Sequence, residues 1–290
     1  MLTTDTKTPV DEAEIAGYFG PDSITWRIGR EAVLLLGGGR ATLMQLAHPL
    51  VAAGVGQHSS YSRAPWARVA QTLQLTQTIT FGTRTQARQA ARTINRMHIG
   101  VTGTLTDAAG DIPQGTPYRA RDPDLLLWVL ATLVDTVLLL YPLLVEPLSR
   151  AEMEQYYQES KQFGALLGLP KGATPATLAD FEAYMYWMLA GNTLAITPEA
   201  RNVARLVMHM PAPPAVRPFL AATEQITVAI LPPRLREMYG LSWDWRREAL
   251  FRAWVASTRR MIRRLPPVLR ELPMARAAWR RVAVHRQAGC

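Results

Sequence analysis

The chain has 290 residues, 48% of them hydrophobic and only 19% charged, with a formal net charge of +9. Its one cysteine, Cys290, excludes a disulfide framework and a cysteine-based zinc site and suits a reducing cytoplasm. So low a charged share points to a large buried core, a homo-oligomer, or contact with something apolar.

Residues 1–20 carry Asp5, Asp11, Glu12 and Glu14 and no apolar run, so no secretory signal is expected there. A short helix near Asp11 opens the fold. Apolar residues at helical spacing then predict helices over 24–36, 40–53, 65–80 and 85–102. Thr83 or Thr85 can cap the last of these. Residues 107–121, rich in Gly and Pro, read as a loop. Asp122-Pro123 opens the next helix, over 124–140. The run from Leu125 to Val145 is long enough to span a bilayer, but Asp135 sits in its middle and Pro142 near its end. It reads as a buried core helix, with membrane association as the lesser alternative.

Ser149 and Glu152 form a capping box ahead of a helix over 149–167, which Gly168-Leu169-Pro170 ends. Further helices are expected over 177–194, 198–208, 214–229, 242–265 and 273–285. Met210-Pro-Ala-Pro-Pro214 is the candidate subdomain boundary. Strand signals are weak, with no sustained alternation and no Asn-Gly turn. The fold class is all-α, in one domain over 1–290, with its core over about 16–265 and a basic helical tail over 266–290. From Arg234 onward there are 14 arginines and 4 acidic residues. A solvated arginine face is the favoured reading of that end. Peripheral membrane contact is the other, and no nucleic acid partner is expected.

The most informative segment is Ala32–Thr106, which contains no Asp or Glu. It holds Arg40, Arg63, Arg68, Arg84, Arg88, Arg92 and Arg96 with His48, His58 and His98. On the helix ending near His98, the positions Ala87, Ala90, Ala91, Ile94, Met97 and Val101 define a buried face. His98 lies on it, while the arginines at 84, 88, 92 and 96 form a separate stripe. A core histidine bonded to a carbonyl is the plain alternative. On the preceding helix Arg68, Gln71, Thr72, Leu75 and Ile79 share a face, so polar side chains either border a pocket or are simply exposed. The opposite face (Ala67, Ala70, Gln74, Gln77) is equally polar, and the choice stays open. Gly37-Gly38-Gly39 lacks the P-loop ending and follows no strand, so close helix packing is its expected role. His48 can cap a helix end, and His58 lies in a Gly/Ser-rich turn. No histidine has a Glu three residues before it, which argues against a di-iron carboxylate site. An inward imidazole with arginines and no carboxylates does suit haem, whose iron takes an axial His and whose propionates pair with Arg.

Several of these segments form a combined pattern. They are Gly37-Gly-Gly-Arg40-Ala-Thr-Leu-Met-Gln-Leu-Ala-His48-Pro49, Ala52-Ala-Gly-Val55-Gly-Gln-His58-Ser59, Arg68-x-x-Gln71-Thr72 and Phe81-Gly82. His98-x-x-Val101-x-Gly103, Tyr118-x-Ala120-x-Asp122-Pro123 and Leu127-Trp-Val129-x-x-Thr132 complete it. Together, between about Ala16 and Pro211, they resemble the family of the rubber oxygenase (latex clearing protein) catalytic domain and the ER-bound oxygenase mpaB. The resemblance implies a globin-like multi-helix domain enclosing one haem b, with extra N- and C-terminal helices. It implies His98 as the proximal iron ligand, Arg68 and Thr72 on the distal side, and Arg68 with Arg40 as anchors for the cofactor. The implied reaction is oxidative cleavage of a carbon–carbon double bond in an isoprenoid or other apolar substrate by dioxygen. The family's distal lysine corresponds to Gln71 here, which leaves the resting iron five-coordinate or water-bound. Its upstream catalytic glutamate has no counterpart, and His58 is the nearby titratable substitute. A haem-binding protein without turnover and a lipid-surface-binding helical protein are the alternatives.

Overall fold

A computed structural model describes residues 12–58 and 64–288. Ser59, Arg63 and Cys290 lie outside them, as does Asp11, but the first helix, α1 (Glu12–Ala16), starts beside it. Then come α2 (Ile24–Gly29) and a 3-10 turn (Ala32–Gly37), which replace the single helix expected over 24–36. The helix expected over 40–53 is likewise two, α3 (Gly38–Leu46) and α4 (Pro49–His58). Pro49 forces the break, because its ring disfavours helical backbone at the residue before it.

Next stand α5 (Pro65–Phe81) and α6 (Arg84–Ile99), then a two-stranded antiparallel sheet of β1 (Thr102–Thr104) and β2 (Pro117–Arg119). The segment expected to be a plain loop, 107–121, therefore contains β2, and β1 lies just ahead of it. The long helix α7 (Pro123–Leu144) follows, then α8 (Arg150–Leu166), α9 (Leu178–Ala190) and α10 (Pro198–Met208). The chain ends with α11 (Arg217–Ile230), α12 (Pro233–Tyr239), α13 (Trp245–Ile262), α14 (Pro267–Arg270) and α15 (Pro273–Ala288). The fold is mostly helical, as the periodicity implies.

Helix α7 is long and apolar enough to cross a membrane by length and composition, but much of it is the core of this fold. It packs against α3, α8 and α13. Trp128 is fully buried and its indole N–H donates to the Met44 carbonyl at 3.1 Å. The glycine run does permit close packing. A Cβ on Gly37 would stand 2.5 Å from Thr136 Cγ2 on α7, and one on Gly39 2.3 Å from Thr227 Oγ1 on α11.

Residues 266–288 of the expected basic tail pack on the body of the fold. Leu272, just ahead of α15, and Ala275 and Ala278 on one apolar face of it are buried against Trp26 and Phe81. Arg281 donates to the Phe81 carbonyl at 2.6 Å, and Arg270 grips the buried Glu31 carboxylate at 2.7 Å. Nor does the 210–214 connector divide the molecule, since the helices on either side, α10 and α11, both pack on α3.

Candidate functional site

Helices α5 and α6 form an antiparallel pair joined by Gly82 and Thr83. Thr83 caps α6 with a full capping box, its hydroxyl accepting from Gln86 N–H and its own N–H donating to the Gln86 side chain. So tight a turn brings residues at similar distances from it side by side. Leu75 and Ile79 of α5 pack on Ala90 and Ala91 of α6. Of the stripe that begins at Arg68, Leu75 and Ile79 thus meet α6, while Ala67, Ala70 and Gln74 of the other face are exposed.

That register brings Arg68 to His98. His98 is half-buried, and its Nδ1 is fully enclosed with no hydrogen-bond partner. Its pKa is lowered from the ordinary histidine value, first by burial and then by the charges of Arg68 and Arg121. The imidazole is held neutral. One turn earlier Asn95 anchors its amide N–H₂ on the Leu166 carbonyl at 3.1 Å, and its Oδ1 is also buried and unpartnered. Met97, expected on the buried face, is 36% exposed.

Arg121 is the residue that sequence reasoning missed. Its place follows from the strand register: Thr102 pairs with Arg119 and Gly103 with Tyr118. Ala120 N–H continues the ladder to the Val101 carbonyl at 2.9 Å. Position 121 therefore falls opposite Gly100, two residues beyond His98. Neither Arg68 nor Arg121 has an ion-pair partner among the described residues. A surface groove of about 700 Å³ runs along α6 and reaches Asn95 and Arg121.

Residues 25–260 match the family described as ER-bound oxygenase mpaB/B'/rubber oxygenase, catalytic domain. The chain belongs to this oxygenase family. It is also 28% identical over 229 residues to the uncharacterized protein Rv2237 of Mycobacterium tuberculosis and to the uncharacterized protein Mb2261 of Mycobacterium bovis, covering 77% of this chain and 86% of each relative. No solved structure matches it.

The other expected site residues of this oxygenase domain lie as follows. Gln71 and Thr72 are exposed on α5, one turn beyond Arg68, and the Thr72 hydroxyl donates to the Arg68 carbonyl at 2.9 Å. His58 closes α4, exposed, with Nε2 3.1 Å from the Thr102 carbonyl. It thus rests on the strand that follows His98. Since a carbonyl only accepts, Nε2 carries the proton there.

Arg40 does not join the group. It is buried, donating to the Ile230 carbonyl at 2.8 Å, Thr136 Oγ1 at 2.7 Å and Asp135 Oδ2 at 2.6 Å. The acid absent from its own neighbourhood in sequence comes from the middle of α7, so its guanidinium is a structural clamp. His48 is more than a helix-end residue: it is buried beside Asp122, with Nδ1 unpartnered, and burial lowers its pKa to about 4.

Proposed function

We propose that this oxygenase domain binds one haem b, whose iron His98 would hold, and oxidises an apolar, alkene-containing substrate such as an isoprenoid. The observation that carries the reading is the His98 imidazole, neutral, with a buried ring nitrogen that has no partner, beside two unpaired guanidinium groups. Neutral imidazole is the form that ligates a metal. Two unpaired cations suit the two carboxylates of haem, and charge-assisted pairs of that kind are among the stronger hydrogen bonds. The residues present therefore fit the group, with Arg121 taking the anchoring role first expected of Arg40. The globin-like enclosure implied by the family resemblance belongs to this proposal.

Bound haem would supply dioxygen activation. The chain's own part is binding, orientation and proton handling. Arg68 and Arg121 neutralise the cofactor's carboxylates. Gln71 offers a neutral amide where a lysine would add a charge. Thr72, its proton turned to the Arg68 carbonyl, presents lone pairs. His58 can accept a proton at Nδ1 while Nε2 stays on the Thr102 carbonyl, which makes it the acid–base candidate.

An absorption spectrum tests the reading. Protein expressed with iron and a haem precursor shows the Soret band of haem b, and His98→Ala loses it. A folded, colourless wild-type protein after such expression overturns the proposal. Dioxygen consumption with alkene substrates then separates an oxygenase from a haem carrier, because a carrier forms no product.

A further inference from the structure

Helix α13 carries two faces of different chemistry. Phe251, Trp254, Val255 and Ile262 pack inward beside α7. On the flank, Arg252, Arg259 and Arg263 recur at i, i+7 and i+11, with Arg260 next to them. Between this flank and α7 runs an open groove of about 710 Å³. Leu143, Phe251 and Val255 form its apolar floor, and the four arginines form its rim.

These cations are mostly unpaired. Arg252 bonds Glu248 at 2.7 Å, but Arg259, Arg260 and Arg263 have no ion-pair partner among the described residues. Arg259 Nε is buried with no hydrogen-bond partner. Three other arginines of the C-terminal region are held within the fold: Arg270 by Glu31, Arg281 by backbone carbonyls, and Arg286 by Glu12 and Asp22. Two large apolar side chains outside the groove lining are also exposed: Leu139, one turn before Leu143, at 39% and Trp245, at the start of α13, at 74%.

We propose that this groove binds anionic phospholipid at a bilayer surface. An acyl chain covers the Leu143–Phe251–Val255 floor, and the phosphate accepts hydrogen bonds from Arg259, Arg260 and Arg263. Charge complementarity selects the headgroup, since guanidinium groups match phosphate in geometry as well as sign. The apolar floor selects a lipid over other polyanions, which have no chain to cover it. The exposed Trp245 suits the membrane–water boundary, where indole rings settle. The site shares no residue with the His98 cluster, so it stands or falls apart from the haem proposal.

The test is sedimentation of the full chain with sucrose-loaded vesicles of phosphatidylcholine, with and without phosphatidylglycerol. Wild type binds the anionic vesicles and not the neutral ones. Arg259→Gln/Arg260→Gln/Arg263→Gln lowers the partition coefficient by roughly a hundredfold, at about fivefold for each charge near the surface. Should that variant misfold by circular dichroism, Arg260→Gln/Arg263→Gln alone, both exposed, is expected to lose about 25-fold on the same scale. Arg88→Gln/Arg92→Gln/Arg96→Gln removes equal charge from α6 and leaves binding within about twofold. Equal loss in the two triple variants overturns the proposal, because net charge and not the groove would then govern. Equal affinity of the wild type for heparin and for anionic vesicles, lost together in the α13 variant, overturns it too, since the floor would then contribute nothing.

Discussion

Replacing Arg40 by alanine separates a structural clamp from a cofactor anchor. Its guanidinium ties α3 to α7 through Asp135 and Thr136 and to α11 through the Ile230 carbonyl. Removing one partner of a buried ion pair typically costs about 3–5 kcal/mol, because a charge is left without its counterion. The Asp135 side chain is 29% exposed, so water takes up part of that loss and the lower end applies, about 3 kcal/mol. Lysine does not rescue it, since one ammonium cannot reach three acceptors spread over two helices. The double variant Arg40→Met/Asp135→Leu recovers most of the stability, as well-packed apolar replacements of buried pairs do. Urea unfolding followed by tryptophan fluorescence reads these changes, and Soret absorbance per folded molecule reads cofactor retention. The expected result is a large stability loss for Arg40→Ala with haem retention unchanged. Unchanged stability with lost haem retention would show that Arg40 holds the cofactor and that the structural assignment is wrong.

Three further outcomes are expected. The pKa of His48 is depressed to about 4, so the unfolded state binds the extra proton; stability is full above pH 6.5 and falls as pH drops toward 4. The drop is about 3 kcal/mol at about 1.4 per pKa unit, and urea midpoints across that window should flatten in His48→Gln. Arg270→Met leaves the buried Glu31, whose pKa burial already raises, with Arg30 at 3.8 Å as its remaining cation, at a cost near the lower end for a broken buried pair, about 3 kcal/mol. An acid with a raised folded pKa contributes most below its unfolded pKa, so the stability of this variant falls as pH rises from 4 to 7. A variant more stable at pH 7 than at pH 4 counts against the assignment. Gly103→Ala places a Cβ 2.6 Å from the Tyr118 hydroxyl, forcing β1 and β2 apart at a cost of about 1–3 kcal/mol. Because that pairing positions Arg121, haem dissociation should quicken in this variant. An unchanged dissociation rate in a destabilised protein would remove Arg121 from the site.

Much of the helical framework was legible in the sequence. The helix signals are local: Ser149 with Glu152 and Thr83 with Gln86 form the capping boxes their spacing suggests. The meeting of Arg68 with His98 was legible only in part: the short turn between the two helices is local, but the two polar faces of α5 look alike in sequence, and the packing of Leu75 and Ile79 on α6 decides between them. Arg121 was not. It depends on a pairing of three-residue strands across a long connection, with neither alternation nor a hairpin dipeptide to announce it. The Arg40–Asp135 pair was equally hidden, since 95 positions separate its partners and only tertiary packing joins them.

The acid-free stretch shows why composition along the chain misleads about electrostatics in space. Its arginines do not share one fate. Arg40 receives Asp135 from α7, and Arg88 receives Glu14 from α1. Arg92 and Arg96 stand in solvent, where water screens them and asks for no ligand. Arg68 differs because it stays unpaired beside a half-buried imidazole, joined there by a cation from outside the stretch. Burial first, and then the two like charges, disfavour a charge on His98 and keep the ring neutral. An anion delivered to the guanidinium groups relieves that repulsion, while burial continues to disfavour the charged ring. A cofactor that brings carboxylates and iron together satisfies both groups at once, which neither chloride nor a bare metal ion can do.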